Sequence, residues 1–330
     1  MNIIVKRSST VSRVAIPAFS LLFLLLFLVP SKFDLSYQIK FVDLFVLIII
    51  ASMWNLLAGF GGLVSVGQQA FIGIGAYALV LFTDQKGLGV IPGIIAAALF
   101  TGLLAVPLSF LVFRLKGGYF AIGTWVIAEI IKLFTVQIQS LGGGAGISLA
   151  VFADTEREAR IKFVYLAALV VAIGILVGTF LLMRSKLGLA LTAIRDDATA
   201  AGTLGVNVTS AQRTVFILVA MGFGAAGSLI ALTNLRVQPD DIFSVNYSAI
   251  MIFIVVVGGL GTIEGPILGA ILFFFLQDQL RDYGSIYLIV LGLVAIISVI
   301  AAPRGVWGLI TRNRVSLFPT RYVISKKREG

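Results

Sequence analysis

Cysteine and histidine are both missing from this 330-residue chain. Without them there is no disulfide framework, thiolate nucleophile, imidazole base or Cys/His zinc site, so most routes to hydrolytic or metal chemistry are closed and neither catalytic residues nor a cofactor or metal ligand set are expected. Charge is scarce too, at 12% of residues against the ~25% of an ordinary globular protein. No lysine is followed by Ser or Thr, which excludes the G-x-x-x-x-G-K-[ST] phosphate loop, and no G-x-S-x-G elbow occurs. Any ATP-driven work must come from another subunit.

What the chain has instead is apolar length: 59% hydrophobic residues and a mean hydropathy of +1.07. That composition leaves no water-facing surface to spare, and the chain reads as a single all-α polytopic membrane domain over 1–330. Ten apolar runs fall at about 14–30, 41–58, 68–83, 90–113, 118–139, 162–183, 212–235, 247–262, 266–281 and 286–302. The first resembles a signal peptide, but its exit Val29-Pro30-Ser31-Lys32 lacks a small-residue cleavage pattern and predicts an uncleaved span. The runs 68–83 and 266–281 are short and interrupted by glycine, as half-helices lining a cavity are.

The net charge is +10, but the basic residues lie beside the apolar runs, which points to anionic lipid and not to nucleic acid. With the N-terminus inside, sixteen Lys and Arg fall on the inner segments and eight on the outer. The bias predicts a multi-pass protein of the cytoplasmic (inner) membrane with both termini cytoplasmic, and it leans on a basic tail over about 303–330. Outside, Leu141 to Lys162 is expected to be a flexible glycine run followed by a solvated charged stretch. Inside, Arg184 to Arg213 carries Leu191, Ile194, Ala198, Ala201 and Leu204 at spacings of three and four, which predicts a short amphipathic helix ended by Gly205.

Two glycine-rich stretches, Gly59 to Gln69 and Gly258 to Pro266, share Gly-Gly-Leu-x-[Ser/Thr]-[Val/Ile] and break apolar spans on the inner side. Broken helices free backbone polar groups, so Asn55, Ser65, Gln68, Gln69, Thr262 and Glu264 are candidates to face a solute route; an ordinary polar turn is the alternative. Gly222-Phe223-Gly224-Ala225-Ala226-Gly227 matches a dinucleotide fingerprint in letters, but inside an apolar span it reads as close helix packing. Glu129 and Lys132, within one span, form either a neutralising pair or an ion relay.

The chain resembles the integral membrane permeases of ABC importers for branched-chain amino acids, in particular the M-type subunit. The resemblance rests on Asn55 to Gln68, Ala193-Ile194-Arg195-Asp196, Leu204-Gly205-Val206, Val257 to Ala270 and Ala302 to Leu309, which are collinear from residue 41 to about 310. It implies a type II-like importer fold, a second homologous permease, two cytoplasmic ATP-binding subunits and an external solute-binding protein. It also implies that the 184–213 loop couples to an ATPase, with Gly188, Leu191, Ile194, Arg195, Asp196 and Gly205 as the coupling residues. The family often carries a basic residue after the loop glycine, where this chain has Gly188-Leu189-Ala190-Leu191-Thr192. The solute stays open between branched-chain amino acids and urea, amides or other amino acids, and an ion-coupled secondary transporter is the competing reading.

Overall fold

The computed structural model describes residues 3–6, 10–280, 286–302, 304–311, 317 and 323–326. The helices in chain order are α1 (Thr10–Leu26), α2 (Leu35–Asn55), α3 (Gln69–Val80), α4 (Val90–Val112), α5 (Gly118–Gln137), α6 (Arg157–Met183) and α7 (Lys186–Asp196). They continue with α8 (Ala198–Thr203), α9 (Val208–Asn234), α10 (Pro239–Ile242), α11 (Asn246–Gly258), α12 (Glu264–Leu280), α13 (Ile286–Ala301) and α14 (Gly305–Thr311). Each of the ten apolar runs is helical. Among the described residues six helices are long and apolar enough to cross a membrane: Leu35–Phe60, Val90–Val112, Gly118–Gln137, Arg157–Met183, Val208–Asn234 and Pro239–Gly258. The remaining runs form the shorter α1, α3, α12 and α13. Of the basic residues that set the expected orientation, Arg7, Arg281, Arg312, Arg314, Arg321, Lys327 and Arg328 lie outside the described residues, as does Pro303.

The bundle is built around α9, which packs on α3, α4, α2 and α6, while α2 also meets α11 and α12. Small residues let these backbones close up, as packing in lipid requires. A side chain at Gly227 would strike the Ile72 carbonyl of α3, one at Gly75 would strike Gly224, and one at Gly222 would meet Met53 of α2. The dinucleotide-like letters are therefore a helix-packing surface. The outward faces of α1, α4, α5 and α13 show apolar side chains such as Leu24, Leu103, Phe134 and Ile300, which suits hydrocarbon.

The connecting segments gather at two ends of the bundle. At one end Asp84 Oδ2 accepts from the Ala150 N–H (2.8 Å), Gln85 donates to the Ser140 carbonyl (3.1 Å), and β2 (Ile147–Ser148) pairs antiparallel with β3 (Arg236–Val237). The glycine run at 142–146 contains a single tight turn over Gly143–Ala145. Gly142, Gly143 and Gly146 take positive φ, and a side chain at Gly146 would collide with Val237 and Gln238. At the other end lie 61–66, 184–207 and 259–263. β1 (Ile3–Lys6) pairs antiparallel with β4 (Val323–Lys326), so the two ends of the chain meet.

Candidate functional site

The end of the bundle that carries 61–66, 184–207 and 259–263 is organised by the two broken helices. α2 finishes in a wide π-turn over Leu56–Phe60, closed by Gly61 N–H on the Leu56 carbonyl at 3.2 Å, and Gly62 (φ 69°) turns the chain away. Between α11 and α12 the same work is done by Gly259 (φ 137°) and Gly261 (φ 73°), conformations a side chain resists. The two breaks lie against each other. Asn55, 1% exposed, donates Nδ2 to the Thr262 carbonyl at 2.7 Å and accepts the Gly261 N–H on Oδ1 at 2.8 Å. Thr262 Oγ1 accepts from the Gly265 N–H at 3.0 Å and so caps the start of α12.

Arg195 ties the α7–α8 segment to this junction. Its Nη1 donates to the Gly59 carbonyl at 3.0 Å, while Nε and Nη2 hold Asp196 Oδ1 at 3.1 and 2.9 Å. A Cβ at Gly62 would approach the Arg195 backbone, and one at Gly261 would approach Nη1. Arg195 is exposed, yet its guanidinium reaches the break at Gly59.

The expected single amphipathic helix is two, α7 and α8. Asp197 breaks it: with φ −158° and ψ 107° it leaves the helix, and its carboxylate accepts from the N–H groups of Thr199 (2.8 Å) and Ala200 (3.0 Å), starting α8. The stripe is accordingly split. Leu191, Ile194 and Ala201 are buried, whereas Ala198 is exposed and Leu204 stands 84% exposed. Ser185 caps α7, and Gly188 has no room for a side chain against the backbone of Leu182 and Met183. Gly205, at φ 88°, ends α8 as anticipated.

The other residues read from sequence as facing a route are enclosed. Gln68 donates to Ser65 Oγ at 2.7 Å, Gln69 accepts from Ser248, and Glu264 Oε1 accepts from the Leu317 N–H at 2.9 Å. Ser65 and Gln68 line a void of only ≈10 Å³. Lys132 Nζ lies 3.5 Å from Glu129 and 2.9 Å from Asp240, linking α5 to α10.

The large polar cavity is at the opposite end, where sequence reasoning placed no candidate. It has a volume of about 490 Å³ between α2, α9, α11 and α12. Lys40, Asp43, Asp241, Asn246 and Asp278 ring its mouth, and Val46, Ile50, Ile230 and Phe274 lie deeper. The signal that could have found them is acidic residues near the ends of separate spans, which converge only in three dimensions.

A multi-span helical bundle with two joined helix breaks at one end and a polar cavity at the other has the build of a membrane transport subunit. The chain belongs to the family described as branched-chain amino acid transport system, permease component, whose model matches residues 39–299. It is 30% identical over 296 residues to the high-affinity branched-chain amino acid transport system permease protein LivM of Salmonella typhimurium, covering 82% of this chain and 69% of that protein. LivM of Escherichia coli is similar at 31% over the same shares. No solved structure matches.

Proposed function

We propose that this chain is the non-enzymatic, membrane-embedded permease of an ATP-driven importer for branched-chain amino acids. It works with a second homologous permease, two ATP-binding subunits and an external solute-binding protein. The observation that carries the reading is the Arg195–Gly59 contact together with the Asn55 clamp: a cytoplasmic helix pair is bonded to one broken span, which is bonded to the other. A subunit without a phosphate loop needs such a rigid element to receive a push from an ATPase. Leu204 and Leu189, the exposed apolar side chains of this segment, supply the docking surface, and Arg195 and Asp196 brace it. Both termini and α7–α8 face the cytoplasm, and the acidic cavity faces outward. Ser65, Gln68, Gln69 and Glu264 meet solute only when the breaks move.

The test is reconstitution in proteoliposomes. Leucine uptake should require all the named subunits and ATP. Uptake by this chain alone, driven by a proton or sodium gradient, would overturn the assignment in favour of a secondary transporter.

A further inference from the structure

The outer cavity changes chemistry with depth. Val46, Ile50 and Ile230 at its floor are buried, while Lys40, Asp43 and Asp278 at its mouth are exposed. Asp241 completes the mouth, and the Tyr247 ring beside it is within electrostatic reach of both Asp241 and Asp43. Among these described side chains the carboxylates outnumber the ammonium. Lys40 meets Asp278 at 2.8 Å across α2 and α12, with both side chains roughly half exposed (49% and 40%). An exposed pair of this kind contributes little to stability, so it can open and exchange partners.

We infer that this cavity is a binding site for the free amino acid as a zwitterion: its ammonium on Asp43 and Asp241, its carboxylate on Lys40, its aliphatic side chain on the apolar floor. The inference rests on the solute reading above and assigns that solute its first contacts in this subunit. A zwitterion loses much hydration on entering a low-dielectric bundle, and opposite charges held at the entrance offset part of that loss. The floor, in turn, rewards branched apolar carbon. The cavity's size is that of ordinary small-molecule sites, roughly 300–1,000 Å³. Its open, hydrated mouth keeps binding weak, as conduction requires: favourable enough to enter, loose enough to leave. Urea or a short amide carries no charge to match the mouth and no branched apolar carbon for the floor.

The assembled importer in proteoliposomes, with leucine and the solute-binding protein both saturating, reports the passage step. Removing both ammonium partners in D43N/D241N should slow leucine uptake about tenfold or more, since charge-assisted hydrogen bonds are lost. D43E/D241E should restore much of the rate, with membrane insertion and assembly equal in all three proteins. Saturation-transfer NMR on the purified complex without its binding protein gives an independent readout. Leucine should show methyl contacts stronger than those of isoamylamine and much stronger than those of 4-methylpentanoate. Where the double variant fails to assemble, the three probes on the wild-type complex decide. Wild-type uptake with an unaffected, fully assembled double variant, or equal signals from the three probes, overturns this inference alone. No leucine uptake by the wild-type complex overturns the solute assignment and this inference with it.

Discussion

Asn55 uses both ends of its amide on the backbone of a segment some two hundred positions away, holding the Thr262 carbonyl and the Gly261 N–H together. Asn55→Ala leaves both groups without that partner in a buried place, a cost of about 2–4 kcal/mol in total. Thermal unfolding in detergent should reveal it as a lower midpoint, and Asn55→Asp should be similarly impaired, because a carboxylate accepts from Gly261 but cannot donate to Thr262. A midpoint unchanged by both substitutions would show that the clamp holds nothing. The sequence marked Asn55 and Thr262 only as polar residues beside helix breaks. Their reciprocal bonding was illegible because it depends on which breaks become neighbours. Arg195 was legible as a charge off the apolar stripe, but its bond to Gly59 was not, because only the folded chain brings that carbonyl within reach of the long side chain.

At the scale of the element, the ten apolar runs were legible because each carries its own hydrophobic length. The α7–α8 break was not. Asp197 reads as one more polar position in a helical period, and only its capping geometry reveals that it starts a second helix. Gly205 was legible as the stop, since its position after the last stripe residue calls for positive φ. Gly205→Val should cost about 1–2 kcal/mol through that φ alone, as nothing lies close enough to clash with a side chain there. Because the strain is local, leucine-stimulated ATP hydrolysis in the assembled complex should fall while membrane insertion is unchanged. Full stimulation in the Val variant would show that the end of α8 carries no coupling contact.

For the whole molecule, the charge bias and the even number of runs predict both ends of the chain on one side, and strands β1 and β4, near those ends, pair. The chain has no native cysteine, so single cysteines label cleanly. Ser148→Cys should react only from outside and Leu204→Cys only from the cytoplasm; the reverse pattern would invert the orientation. What sequence could not supply at this scale is the cavity, whose lining comes from α2, α9, α10, α11 and α12 at one end of the bundle, through residues that belong to no motif.

The central claim is that α7 passes the motion of an ATPase to both helix breaks through Arg195. Its most direct measurement is Arg195→Glu in the reconstituted importer, with leucine uptake and leucine-stimulated ATP hydrolysis followed on the same proteoliposomes. Glutamate removes the donor to Gly59 and faces Asp196 with like charge. The account predicts that uptake and stimulation both fall at least tenfold while the complex stays assembled, about what losing one charge-assisted contact implies. Uptake and stimulation both at wild-type levels would contradict it.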